Sequence, residues 1–449
     1  METIQDRAAA AGDSVAAERW SAEFDAGFAA IAGRFGRVEP RRAARGYLLG
    51  LLSDVERRTC WQLAEQAGDV SPHRMQRLLG EAVWDADAVR DDVRGYVVDR
   101  LGDAGGVLIV DDTGDLKKGT HTVGVQRQYT GTAGRIENSQ VAVFLAYAVP
   151  AGATLIDREL YLPRCWADDP GRRAAAGVPE AVGFATKHTL ARRMLDRALD
   201  GGVPAAWVAG DEFYGGDARL RRNLQGRGVG YVLAVAKSHR VVRHRAIAGE
   251  RADRIAAALP RRAWNRYSAG PGSKGARDYD WAFVNIVAPE DERAAGGRHT
   301  LMIRRRISDG QLAFYRCWTH HPQGLPTLVK VAGTRWHIET GFQTAKNTTG
   351  LDEHQVRRWD SWYRHTTLVL LAHAILAVIA AAEATRPQPA GLIPLTLPEI
   401  RRLFAIFAAT VHTIAHRLAW SLWRRHHQAN ARTSHYRHRS QPEHQPTST

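Results

Sequence analysis

Cysteine is scarce in this 449-residue chain: Cys60, Cys165 and Cys317 are the only three, far apart and odd in number. That spacing excludes a disulfide framework and a paired-cysteine zinc site, and a reducing cytoplasm is the expected compartment. Carboxylates are outnumbered as well: 47 Asp and Glu stand against 62 Lys and Arg, a net charge of +15. An excess of that sign favours a polyanionic partner, nucleic acid before an acidic membrane surface. The stretch Met1–Arg7 lacks a basic region leading into an apolar one, so no signal peptide is expected. Long apolar runs are missing too. The nearest approach, Thr367–Ala382, is interrupted by His373. As a helix it would be roughly 24 Å long, short of a ~30 Å hydrocarbon core, so a buried core helix and no membrane span is expected. With 44% hydrophobic and 24% charged residues, the composition is that of a folded protein and excludes disorder along the whole length or a collagen-like chain. No internal repeat is apparent.

What is present falls into segments. Residues 1–103 read as a helical region. Trp20, Phe24, Phe28, Ile31 and Phe35 recur at steps of three and four, and Tyr47, Leu48, Leu51, Leu52 and Val55 mark a second amphipathic helix. Trp61–Ala67 and Pro72–Leu79 have the length of a helix-turn-helix, with Ser71 as N-cap and Pro72 at the first helical position. Arg74, Gln76 and Arg77 on the second helix would then meet DNA, although any short helical hairpin of a bundle looks the same.

Residues 104–235 change pattern. Val107-Leu108-Ile109-Val110 is a buried strand running into the turn-like Asp111-Asp112-Thr113-Gly114. Gln140–Val149 and Thr154–Leu162 read as strands, then helix at Thr189–Leu199, strand at Ala206–Ala209, helix at Ala218–Gly226 and strand at Tyr231–Val235. The order predicts an α/β fold with a mixed sheet and helices on its faces. Residues 236–326 form a β-rich insertion, with β-like runs at Asp280–Val287, His299–Ile307 and Gln311–Trp318. Residues 327–385 return to helix, in Thr327–Thr348 and Trp359–Glu383, and complete the core. After a break at Pro387-Gln388-Pro389, residues 386–423 form a C-terminal helical segment. Residues 424–449 read as a basic disordered tail whose histidines (His426, His427, His435, His438) lack metal-ligand spacing and acidic partners.

Three carboxylates stand out by position. Asp112 closes the first buried strand, Asp211 closes a later one, and Glu339 lies on the helix after the insertion. Strand ends and a facing helix can gather distant side chains in one cleft. Acids gathered there repel one another, and at least one has a raised pKa. Divalent cations remove the conflict; Mg²⁺ takes carboxylate oxygens together with substrate phosphates, and a pair of ions roughly 3.5–4 Å apart serves in-line phosphoryl displacement. Side chains alternate along a strand, so Asp111 and Asp112 cannot both enter one cleft. Asp112, next to the turn, is favoured as first acid, and Asp111 is the alternative. Arg335, Glu339 and Lys346 fall on one helix face, the acid for metal and the cations for phosphate. Lys117 and Lys118, just after the first acid, are further candidates for DNA contact.

The motifs Val110-Asp111-Asp112-Thr113-Gly114-Asp115-Leu116-Lys117-Lys118-Gly119, Gln128-Tyr129-Thr130-Gly131-Thr132-Ala133-Gly134, Ala209-Gly210-Asp211-Glu212-Phe213-Tyr214-Gly215 and Arg335-Trp336-His337-Ile338-Glu339 resemble those of DDE transposases of bacterial insertion sequences. The closest likeness is to insertion-sequence family 701, a relative of family 4, and it runs to roughly Ala382. Wider relatives carry a Tyr-Arg-Glu-Lys signature with two, three and six intervening residues. Arg335, Glu339 and Lys346 keep that spacing, while Ala332 stands at the Tyr position. The resemblance implies a ribonuclease H-like core with a β-rich insertion before the Glu helix. It implies catalytic, metal-ligating Asp112, Asp211 and Glu339 with two Mg²⁺ ions, or Mn²⁺ in their place. It implies binding of terminal inverted repeats, cleavage at the element ends and attack of the freed 3′ hydroxyl on target DNA. The complex is expected to be a homodimer, at the nucleoid in the cytoplasm. Some relatives form a hairpin intermediate and hold a flipped base on an insertion Trp; Trp264, Trp281 and Trp318 are candidates, although packed aromatics fit those positions better. The alternatives are a domesticated DNA-binding protein of the same fold and a metal-dependent nuclease.

Overall fold

The computed structural model describes residues 17–440 apart from 244, 245, 247, 273, 274, 356, 388–392 and 408–411. The N-terminal stretch read for a leader, Gln388 and Pro389 of the chain break, residues 441–449, and the side chains of His435 and His438 lie outside the described residues.

Among the described residues the first five helices are α1 (Ala17–Ala32), α2 (Val38–Leu52), α3 (Cys60–Gln66), α4 (His73–Gly80) and α5 (Ala86–Leu101). The three-and-four spacing of Trp20, Phe24 and Ile31 buries one face of α1, and Tyr47, Leu48, Leu51 and Leu52 bury one face of α2. The cap expected at Ser71 is not formed. Pro72 itself stands at the N-cap of α4, without a side-chain cap bond, and α4 begins one residue later.

The core sheet begins with β1 (Gly106–Leu116), β2 (Gln126–Thr130), β3 (Arg135–Val149) and β4 (Gly152–Leu160). Helix α6 (Lys187–Asp200) leads to β5 (Ala205–Gly210), and the short α7 (Glu212–Gly215) and α8 (Ala218–Gly226) lead to β6 (Gly230–Val235). In space the core order is β4-β3-β1-β5-β6: β3 is antiparallel to both β1 and β4, whereas β1, β5 and β6 run parallel. This is the ribonuclease H-like arrangement that the resemblance implies.

Residues 236–326 supply β7 (Arg240–Arg243), β8 (Glu250–Arg251), β9 (Asn265–Gly272), β10 (Gly275–Val287), β11 (Arg298–Arg306) and β12 (Leu312–Thr319). They do not form a sheet of their own. β12 pairs with β6 from Phe314↔Val235 to Trp318↔Tyr231, so one 12-stranded sheet runs from core into insertion. A second small core, including Val241, Ile255, Ile286, Leu301 and Phe314, stabilises the far end.

The chain returns to helix in α9 (Leu325–Thr334), α10 (Trp336–Thr344), α11 (Trp359–Ala384), α12 (Leu397–Phe407) and α13 (Ile414–Ser440). The continuous helix expected over Thr327–Thr348 is broken at Arg335, and α10 ends in a π-helical turn, Ala345–Thr349. By length and composition α11 could cross a membrane, but 83% of its apolar window is buried inside the protein. It is apolar on every side because it is surrounded by β4, α5 and α2. Its His373 is satisfied in that core, Nδ1 with Thr154 Oγ1 at 2.9 Å and Nε2 with Thr344 Oγ1 at 3.1 Å. Of the tail expected to be disordered over residues 424–449, the described part is helix: α13 continues to Ser440.

Candidate active site

Strand β1 does not stop at the apolar run. It continues through both aspartates, with Asp111 opposite Phe144, Asp112 opposite Val143 and Thr113 opposite Ala142 on β3. Directly opposed residues share a sheet face and successive ones alternate. Asp111, Thr113 and Phe144 therefore share one face, and helix α10 covers it. The Phe342 ring of α10 lies 5.5 Å from the Phe144 ring. Lys346, in the following π-turn, donates from Nζ to Thr113 Oγ1 at 2.9 Å.

Asp111 consequently faces the Glu339 helix. Arg335, at the break between α9 and α10, stands between the two acids, 3.6 Å from Asp111 Oδ2 and 2.5 Å from Glu339 Oε1. Asp211 follows β5, whose Gly210 is in register with Val110 of β1, so it emerges beside Asp111. One of its oxygens is committed: Oδ1 accepts the N–H groups of Phe213 at 3.0 Å and Tyr214 at 3.2 Å, capping α7. Gly215 closes that helical turn against β6. A Cβ there would lie 1.8 Å from the Ala234 carbonyl oxygen, so only glycine permits the approach that holds Asp211 in place.

Asp112 is the expected first acid, but it is Asp111 that faces α10 and Arg335. Asp112 lies on the opposite face, where Lys187 Nζ of α6 is 3.0 Å from Oδ2 and the Tyr214 hydroxyl donates to Oδ1 at 3.2 Å. Alternation along the strand separates the two aspartates, but which of them faces the glutamate helix depends on which sheet face α10 covers.

Electrostatics mark the same place. Burial and then the negative charge of Asp211 push the Asp111 carboxyl up to about 7; the Asp112 N–H and Arg335 oppose the shift. Burial raises Asp211 also, against the Tyr214 N–H and Arg335. Burial works against the Arg335 charge, but Glu339 and Asp111 outweigh it and hold the guanidinium protonated. The donor set suits a hard divalent cation: carboxylate oxygens only, two of them held toward the protonated form until positive charge arrives. Among the described residues no three His, Cys, Asp or Glu side chains stand close enough together to hold a metal ion. Glu339 is turned onto Arg335.

Residues 31–271, more than half of the chain, match the family model described as DDE superfamily endonuclease, and residues 176–375 match the transposase DDE domain. The chain belongs to the DDE endonuclease superfamily. Enzymes of this superfamily are generally dependent on divalent metal. Over 195 residues the DDE chain is 29% identical to a probable transposase for insertion sequence element IS701 of Microchaete diplosiphon, a match covering 43% of this chain. The same match covers 48% of that protein, so the chain spans about half the length of its curated relative. Among solved structures, a piggyBac transposase synaptic complex with hairpin DNA is similar with a TM-score of 0.47 and 11% identity, over 86% of this chain and 76% of that one. The NurA nuclease of Sulfolobus solfataricus follows with a TM-score of 0.28 and 8% identity, over 57% of this chain and 85% of that one.

The other residues singled out from the DDE sequence are distributed as follows. Lys346 reaches Thr113, and burial lowers its pKa against the pull of Asp352 and Asp115. Lys117 is turned inward, paired with Asp115 and donating to the His354 carbonyl at 2.9 Å, whereas Lys118 is exposed. Arg74 pairs with Asp69 at 2.9 Å, whereas Arg77, with Glu81 at 3.3 Å, keeps 72% of its side chain exposed. Trp281 and Trp318 are buried, and Trp264 lies half-buried under the Arg305 guanidinium.

Sequence reasoning missed the groove beside the acids. A cavity of about 950 Å³ opens between core and insertion, with Asp211, Arg335 and Trp336 on its core side and Lys237, Arg277, Arg304 and Arg306 facing them. Lys187 was missed too: 75 positions separate it from Asp112, and no local pattern joins them.

Proposed function

We propose that this chain is the transposase of an insertion sequence of the 701 type, with Asp111, Asp211 and Glu339 as its catalytic carboxylates. The observation that carries the reading is the meeting of Asp111 with Arg335 and Glu339 beside Asp211, on the face of β1 that α10 covers. Two Mg²⁺ ions, or Mn²⁺ in their place, held by the three acids would supply activation of the attacking oxygen and neutralisation of the leaving one. The chain's own side chains do the rest. Arg335 exchanges Glu339 for a DNA phosphate, which frees the glutamate for its ligand role. Lys237, Arg277, Arg304 and Arg306 line the path of the DNA backbone, and the +15 net charge draws it there. Lys118 and Arg77 add peripheral phosphate contacts.

In the first reaction a water oxygen attacks the phosphorus at the element end, and the 3′ oxygen leaves and takes up a proton. In the second that 3′ hydroxyl attacks a target phosphodiester, loses its proton, and displaces the target strand's own 3′ oxygen. The substrates are duplex DNA with terminal inverted repeats and duplex target DNA. The active form is a homodimer that holds two element ends, and the work is done in the cytoplasm on nucleoid DNA.

The test is cleavage of a duplex carrying the element end, with Mg²⁺, by Asp111→Ala, Asp112→Ala, Asp211→Ala and Glu339→Ala. Asp111→Ala, Asp211→Ala and Glu339→Ala should lose cleavage by at least a thousandfold yet bind the duplex; Asp112→Ala should retain measurable cleavage. Unimpaired cleavage by Asp111→Ala or Glu339→Ala would refute the assignment. Joined products distinguish a transposase from a nuclease that only hydrolyses, and an inert wild-type chain would point to a domesticated binding protein.

A further inference from the structure

Helix α13 is 27 residues long and contains six arginines and five histidines with no Asp or Glu. Its first half is anchored. Trp420 donates from Nε1 to the Asp69 carbonyl at 2.7 Å, and Arg424 meets Glu65 at 2.5 Å. The Trp423 and His427 rings both pack edge-on against Trp61 at 4.8 Å. The anchor is therefore the α3–α4 hairpin. Beyond it the described side chains, from Arg425 to Ser434, are exposed on every side.

A helix that is polar all round must draw on ion pairs along its surface or on an outside partner. Here the first source is missing: among the described residues no carboxylate pairs with Arg417, Arg425 or Arg432, and the helix has none of its own. These arginines repeat at eight and seven residues, close to two helical turns, so they share a side of the helix at intervals of roughly 11 Å. Arg417 stands on the anchored half, Arg425 just past the anchor and Arg432 on the stretch of roughly 20 Å beyond His427, and a row of unpaired cations of this kind is complementary to a polyphosphate backbone. A membrane surface fits less well, since the exposed apolar residues Ile414, Leu418 and Leu422 end before the projecting half begins.

We propose that α13 is a DNA-contacting arm, clamped to the α3–α4 hairpin by Trp420 and Trp423, whose Arg417, Arg425 and Arg432 lie along the phosphates of duplex DNA. The proposal rests on the reading of the chain as a DNA-acting enzyme but concerns a surface separate from the acids.

The experiment uses the full chain in EDTA with a random-sequence 30-base-pair duplex, measuring affinity by fluorescence anisotropy from 50 to 300 mM salt. The triple variant Arg417→Gln/Arg425→Gln/Arg432→Gln should bind about ten- to a hundredfold more weakly. Its slope of log affinity against log salt should fall by roughly 2–3, at about 0.9 per phosphate released. With Mg²⁺ and saturating DNA at low salt, its cleavage should stay within a fewfold of wild type, which separates loss of the arm from loss of the active site. Amide hydrogens of residues 425–440 should gain exchange protection when duplex is added. An unchanged salt slope overturns the proposal, as does an equal loss of binding to anionic lipid vesicles. A wild-type chain that binds no duplex overturns both the arm and the reading beneath it.

Discussion

Replacing Asp111 by Asn should stabilise the metal-free protein above neutral pH while abolishing its activity. The Asp111 carboxyl sits at about 7 against an ordinary value of 3.8, and its side chain is only 16% exposed. A displacement of roughly three pH units corresponds to about 4 kcal/mol between the protonation states. The sign follows from linkage. The folded-state value lies above the unfolded one, so between roughly pH 4 and pH 7 the unfolded chain releases this proton first, and stability falls as pH rises. Above pH 7 both states are ionised and the cost of the buried charge is carried in full. Asparagine keeps the acceptor for the Asp112 N–H, which Asp111 Oδ1 receives at 2.8 Å, and it carries no charge. The attraction to Arg335 is already contained in that displacement, so a gain on the order of 2–4 kcal/mol is expected at pH 8. The assay is calorimetric melting in EDTA from pH 4 to pH 9. The Asp111→Asn and wild-type Tm values should coincide near pH 4 and diverge by a few degrees by pH 8, with the variant higher. Mg²⁺ should raise the wild-type Tm at pH 8 and leave the variant's nearly unchanged. Parallel melting curves across the pH range would refute the burial argument, and equal stabilisation by Mg²⁺ would refute Asp111 as a ligand.

Two further outcomes follow from the same geometry. In Arg335→Gln the guanidinium that competes for Glu339 and Asp111 is gone. Mg²⁺ binding without DNA, measured by titration calorimetry, should tighten severalfold while cleavage falls, and unchanged or weaker binding contradicts the competition. In Gly215→Ala the new Cβ collides with the Ala234 carbonyl. The α7 turn must move, at a cost of about 2 kcal/mol or more, with lower Tm and lost cleavage, whereas Gly216→Ala, whose Cβ would come no nearer than 3.5 Å to the Glu212 carbonyl, should be tolerated.

Much of the site's material is legible as local pattern. Asp211 falls at the end of an apolar strand and before a short helix, Arg335 and Glu339 are four residues apart and meet, and both facts depend only on short-range periodicity. The choice between Asp111 and Asp112 is not legible in that way. Both lie on one strand, and the difference between them is which face α10 covers, seen in the approach of Arg335 to Asp111 across more than 200 positions. The break at Arg335 is also hidden, because helical spacing continues through it.

By itself the sequence determined the order of strands and helices, the burial of α11 and the basic charge. Those depend on hydrophobic period, composition and residue type, which are properties of neighbours along the chain. Tertiary structure alone decided which aspartate faces the glutamate, that Lys187 and Tyr214 hold the other one, that Lys117 is turned inward, and that insertion and core share one sheet with a cationic groove between them. It also decided that α13 extends as helix past the point where composition suggested disorder, with Trp420 and Trp423 on a hairpin more than 300 residues earlier. Each of these depends on distances between segments remote in sequence, set by how whole faces pack, and no window along the chain contains that information.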